Sequence, residues 1–207
     1  MQHKDPLNVI VTGVGGQGNV LISQLIGDAL VREGYHVTIG ETYGASQRGG
    51  AVMSHLRVSR KEQYGPLIPL GQADVILGLE PVETMRVVAQ YGHPGVMVIA
   101  NSRPIYTMAV TTGAAEYPGT EEIARTLEEL SSKAWLINAT EIALEMGASI
   151  AANVIMAGAL VGSQAIPLGP EALEAGLRES LPPERLELSL QALHRGLEEA
   201  RRRQVNH

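Results

Sequence analysis

The 207 residues suffice for one domain with a real hydrophobic core and are too few to read as two. A formal charge of −6 argues against a general nucleic-acid binder, whose affinity rests on Lys and Arg, and against docking on an anionic membrane. With no cysteine the chain can hold no disulfide, cysteine nucleophile or thiolate-ligated iron–sulfur cluster, and with no Phe its core must be largely aliphatic.

Met1 to Asn8 shows no basic region followed by an apolar core, so no signal peptide is expected and the cytoplasm is the default location. Asn8 to Thr12 is a short apolar run, read as a buried strand. A turn of Gly13-Val14-Gly15-Gly16-Gln17-Gly18 follows. Val20, Leu21, Leu25, Ala29 and Val31 then recur at helical spacing, and Gly34 ends the helix. His36 to Gly40 reads as a second strand, closing a strand–turn–helix–strand unit whose parallel pairing needs that helical crossover. Glu41 to Gly50 is a polar loop, and Ala51 to Ser59 alternates as a half-exposed strand does. Lys61 to Gln72, with two prolines and two glycines, is a loop. Ala73 to Leu79 is a buried strand, Pro81 to Gln90 a helix and Gly95 to Ala100 a strand.

The second half is more helical. A helix is predicted from Thr120 to about Ser131, a strand over Ala134 to Asn138 and a short helix over Thr140 to Met146. Met146 to Pro170 carries no charge, but polar residues, proline and glycines interrupt it. A membrane span needs about 20 mostly apolar residues, so a buried helix from Asn153 to about Val161 is the better reading. Asn153 is expected to cap it, and Gly158, Ala159 and Gly162 leave it a small-residue face. Glu171 to Glu179 is a short helix, and Pro183 opens the last one. Its Leu186, Leu190, Leu193 and Leu197 form one apolar stripe. The expected architecture is one α/β domain over residues 1–207, Rossmann-like, a mostly parallel sheet with helices on both faces and a more helical C-terminal part.

Gly13-x-Gly15-x-x-Gly18 has dinucleotide-binding spacing. Glycines allow a tight turn and close phosphate approach, and the helix N-terminus offers free N–H donors. Glu41 closes the second strand near where a ribose-binding acid would sit, so a stand-alone NAD(P)-binding oxidoreductase is one reading. The same glycines also serve plain strand-to-helix packing. No dehydrogenase constellation follows. In the second loop, Arg48 precedes Gly49 and Gly50, a guanidinium suited to a phosphate or carboxylate, or simply to a surface acid. His55 reads as a polar residue of its strand rather than a catalyst. Glu80 closes a strand and orients the turn before Pro81.

GVGGQG after the first strand, TYGASQRGG after the second and Ser54-His55-Leu56-Arg57 on the next resemble the gamma-type domain of 2-oxoacid:ferredoxin oxidoreductases. The resemblance extends through Pro66 to Pro69 and Ala73 to Pro81, and returns around Asn153 and Gly158. Within that family the SQRGG, SHLR and ADVILGLEP runs are most like the beta subunit of the indolepyruvate type. Tyr43 is the departure, standing where that branch often has histidine and matching the pyruvate and 2-oxoglutarate branches instead.

The resemblance implies a non-catalytic subunit of an enzyme that decarboxylates a 2-oxoacid on thiamine diphosphate. Electrons leave through iron–sulfur clusters to ferredoxin, and the acyl group goes to coenzyme A. Thiamine diphosphate, magnesium and the clusters are expected in a large catalytic partner subunit, within a hetero-oligomer. No cofactor is expected on this chain alone, with coenzyme A possible at a shared site. The binding set is Gly13, Gly15, Gly16, Gln17, Gly18, Tyr43, Ser46, Gln47, Arg48, Gly49, Gly50 and Asn153. No catalytic residue or metal ligand is expected. A rival reading stays open, that both loops only pack on the partner and the chain is an assembly module.

Overall fold

The computed structural model describes residues 3–44, 50–106, 108–113, 116–148 and 151–205. Ser46, Gln47, Arg48 and Gly49 therefore lie outside the described residues. A six-stranded sheet runs in the order β2-β3-β1-β4-β5-β6. The strands are β1 (Leu7–Val14), β2 (His36–Tyr43), β3 (Ala51–Ser59), β4 (Val75–Gly78), β5 (Met97–Asn101) and β6 (Lys133–Ile137).

Every residue of β1 and β4 is buried. Their runs are continuously apolar because both sheet faces are covered. Val9, Val11, Val75 and Leu77 point into one core, and Ile10 and Ile76 between them point into the other. The first core is covered by α1 (Asn19–Arg32), α5 (Ala139–Glu145), α6 (Ala152–Gly162), α7 (Pro170–Ser180) and α8 (Pro183–Val205). The second is covered by α2 (Pro81–Tyr91) and α4 (Thr120–Leu130) through Val87, Val88, Ile123 and Leu127. The short α3 (Met108–Thr111) carries no periodic signal in the sequence. Among the described residues no helix is long and apolar enough to cross a membrane.

β1, β4, β5 and β6 pair in parallel, whereas β3 is antiparallel to both β1 and β2. β2 therefore runs in the same sense as β1, and the mostly parallel sheet with helices on both faces is as expected. The pairing of β1 with β2 is not. β3 returns directly from β2 through a short connection, which favours an antiparallel pair, and it occupies the place beside β1. β2 also continues through Glu41 to Tyr43, so the polar loop is shorter than its composition suggests.

Two helix starts differ from the sequence reading in opposite ways. Glu80 is the N-cap of α2, its carboxylate accepting from the Glu83 N–H at 2.8 Å. Asn153 is not a cap. α6 begins one residue earlier, with Ala151 at the N-cap and no side-chain cap bond. The α8 stripe packs where expected, with Leu193 and Leu197 buried against α6.

Candidate functional site

The chain turns one way after β1 and the other way after β4, so the carboxyl ends of these two strands form the switch point where open α/β sheets bind ligands. The glycine turn sits there. Gly16 and Gly18 have φ of 96° and 84°, a region that side chains other than glycine rarely enter. Gly18 is the N-cap of α1 and offers no side-chain acceptor. The first-turn N–H groups of Asn19, Val20 and Leu21 thus have no intrahelical partner and point out of the helix end. Gln17 braces the turn. Its side-chain oxygen accepts from the Val14 N–H at 2.8 Å, and its amide donates to the Leu79 carbonyl at 2.7 Å. Its side chain holds the loop in shape and is engaged within the protein.

The second loop reaches the same edge. The Gly15 N–H donates to the Gly50 carbonyl at 3.0 Å, and the Gly44 N–H donates to the Ala51 carbonyl at 2.7 Å. Gly15, Gly16, Gly18, Tyr43, Gly44 and Gly50 consequently share one cleft of about 750 Å³. The glycine turn and the described ends of the second loop, distant in sequence, line one cleft. Asn19 lines it too and escaped the sequence reading. It is buried, its amide donates to the Val52 carbonyl at 3.3 Å, and its Oδ1 has no partner among the described residues.

Glu41 does not take the ribose-binding place. It sits on β2, and β3 separates β2 from β1. Two strand spacings, about 10 Å, lie between Glu41 and β1 instead of one. Its carboxylate also accepts a hydrogen bond from the Tyr43 hydroxyl, which raises the tyrosine's pKa. The inserted strand removes the geometric basis of the dinucleotide reading.

On the other side of the glycine turn lies a second cleft of about 320 Å³. Gly16, Gln17, Asn101, Arg103, Thr140 and Asn153 line it. Asn153 is 8% exposed and its side chain approaches Gly18 across the mouth of α1. Asn101, Arg103 and Thr140 carry no motif. Asn101 closes β5, Arg103 comes just after it and Thr140 just after β6, and that position is the one signal by which the sequence could have pointed to them.

His55 belongs to neither cleft. It is fully buried in β3 opposite Ile10 of β1, where its Nδ1 accepts from the Ile68 N–H at 3.3 Å and its ring meets Tyr91 edge-on at 5.3 Å. Burial lowers its pKa.

Residues 8–199 match the family described as pyruvate ferredoxin/flavodoxin oxidoreductase. The chain belongs to this oxidoreductase family. It is 39% identical to the indolepyruvate oxidoreductase subunit IorB of Pyrococcus horikoshii, over 94% of this chain and 96% of the relative. The fold of this family member superposes on the gamma subunit of a keto/oxoacid ferredoxin oxidoreductase from Geobacter sulfurreducens with a TM-score of 0.67 and 22% identity, covering 95% of this chain and 99% of that one. It also matches a 2-oxoglutarate:ferredoxin oxidoreductase of Magnetococcus marinus, solved with 2-oxoglutarate, coenzyme A and succinyl-CoA bound. There the TM-score is 0.75 at 22% identity, over 97% of this chain and 32% of that longer one. The match to the pyruvate ferredoxin/flavodoxin oxidoreductase family spans both glycine loops and all six strands except the first residue of β1.

Proposed function

We propose that this chain is the non-catalytic subunit of a 2-oxoacid:ferredoxin oxidoreductase of the indolepyruvate type. Its glycine edge helps build the coenzyme A cleft with a larger catalytic subunit. The observation that carries the reading is the Gly15–Gly50 bond at 3.0 Å, which joins the two family loops at the switch point. The near full-length likeness to an indolepyruvate oxidoreductase subunit supports the substrate class.

The chemistry of the cleft suits the phosphates of coenzyme A. The α1 N-terminus supplies N–H donors and a partial positive charge, and Arg48 stands in sequence between Gly44 and Gly50, which both line the cleft. The rim suits a protein partner. Leu21 and Tyr43 at the larger cleft and Ile105 at the smaller are exposed large side chains that a partner would cover. Thiamine diphosphate, magnesium and the iron–sulfur clusters belong to the larger subunit in this reading, where they supply decarboxylation and electron transfer. Having no cysteine, this chain offers no thiolate ligand for such a cluster.

The test is co-expression with the larger subunit. The complex should reduce ferredoxin with indolepyruvate and coenzyme A, and this chain alone should not. Arg48→Ala in the assembled complex should raise the KM for coenzyme A about tenfold or more, with assembly unchanged. Turnover by the isolated chain, or failure to assemble with a thiamine-bearing partner, refutes the proposal.

A further inference from the structure

The smaller cleft has properties that packing alone does not explain. The N-terminal end of the 11-residue α6 opens on it through Ala152 and Asn153, opposite Gly16 and Gln17 of the glycine turn. α6 has no side-chain cap among the described residues, and its N-terminal end carries partial positive charge. The Asn153 amide, more than nine-tenths buried, lines the cleft without a hydrogen-bond partner among the described residues. Thr140 adds a donor. Its hydroxyl oxygen accepts from the Asn101 amide at 2.9 Å, which leaves its own proton to point elsewhere.

Arg103 supplies the full charge. It is exposed, lines the cleft, and has no carboxylate within ion-pair distance among the described residues. The one acid behind it, Glu80, is buried and occupied. Glu80 accepts from the Glu83 N–H at 2.8 Å, the Ile105 N–H at 3.3 Å and the Tyr117 hydroxyl at 2.6 Å. The Ile105 bond ties down the segment that carries Arg103.

We infer that this cleft is a second oxyanion subsite, anchored by Arg103 and completed by the Asn153 amide, the Thr140 hydroxyl and the α6 N-terminus. Its ligand is a phosphate or carboxylate group, with room for little beyond the anion and its first substituent. A guanidinium, an amide, a hydroxyl and a helix N-terminus converging on one small space form an anion receptor. The inference stands apart from the role of the larger cleft and concerns the opposite side of the glycine turn.

Titration of the full chain with inorganic phosphate at constant ionic strength, followed through backbone amide resonances, tests it. Saturable shifts are expected at Ala152 and Asn153. Arg103→Gln should weaken them about tenfold or more, and Arg103→Lys should lie between. Arg103 is exposed, so both variants should keep the native spectrum elsewhere. Coenzyme A, its dephospho form and a 2-oxoacid as competitors identify the natural source. Stronger binding of coenzyme A than of dephospho-coenzyme A assigns the 3′-phosphate, and displacement of phosphate by the 2-oxoacid assigns a carboxylate. The inference is overturned if no anion moves Ala152 and Asn153, or if Arg103→Gln binds like the parent. Shifts confined to Tyr43, Gly44 and Gly50 would overturn it while leaving the larger cleft's coenzyme A role intact.

Discussion

The side chain of Asn153 fills the space where a β-carbon on Gly18 would stand. Glycine is required at position 18 twice over, by a φ of 84° and by this neighbour. Gly34 has nearly the same φ, 83°, but only an ordinary contact at 3.7 Å with the Arg60 guanidinium. Gly34→Ala should therefore cost about 1–2 kcal/mol, the left-handed backbone penalty alone. Gly18→Ala should cost clearly more and should displace the Asn153 amide. Urea unfolding of the two variants measures the difference, and equal losses would mean that the Asn153 contact is not made.

Tyr117 is a pH probe of the network behind Arg103. Burial first, then the hydrogen bond it donates to Glu80, pushes its hydroxyl well above the ordinary tyrosine value of 10.0. The folded state keeps this proton where the unfolded chain releases it. The stabilisation is intact below about pH 10 and erodes as pH rises above it. Tyr117→Phe should flatten that alkaline loss and, near neutral pH, cost about 1–3 kcal/mol because Glu80 loses a donor. Denaturant unfolding between about pH 8 and 11 distinguishes the two effects.

His55 should act at the other end of the scale. Burial depresses its pKa below 6.5, so folding favours the neutral ring. That stability is fully present above about pH 6.5 and is lost as pH falls below it, with a slope of at most about 1.4 kcal/mol per pH unit. Asparagine can keep an acceptor near the Nδ1 position for the Ile68 N–H but cannot take up the proton. His55→Asn should lower stability at neutral pH and reduce its acid slope. An unchanged slope would show that His55 does not govern acid sensitivity.

The α6–α8 contact depends on glycine for space rather than for φ. A β-carbon on Gly196 would press on the α6 backbone, with the Ala159 nitrogen at 2.8 Å and the Ile155 carbonyl carbon at 2.9 Å. Gly196→Ala should force the helices apart and cost about 1–3 kcal/mol despite alanine's better helix propensity. Gly65→Ala, in a loop where nothing lies within 4 Å, should change Tm little. Thermal unfolding of both variants gives the comparison.

Much of the scaffold was legible before the fold was known. β1 and β4 are continuous apolar runs because they are covered on both faces, and α8 shows its leucines at helical spacing because one face packs on α6. The glycine turn announced itself because its φ values admit little else. Asn101, Arg103 and Thr140 were not legible, since an isolated polar residue after a strand resembles any loop residue. Asn153 was read as a cap because Asn before an apolar run usually is one. Its actual neighbour is Gly18, 135 positions earlier, and no local pattern records that.

Period and punctuation in the chain by itself determined the six strands, the helices that cover them and the two glycine loops. Those signals come from contacts within a few residues, so they survive in a string of letters. Only the tertiary structure decided that β3 enters between β1 and β2, that Glu41 is thereby carried away from β1, and that Arg103 and Asn153 face one cleft. Strand order and side-chain convergence depend on which distant backbone groups pair, and alternation alone is the same for a strand placed beside either neighbour.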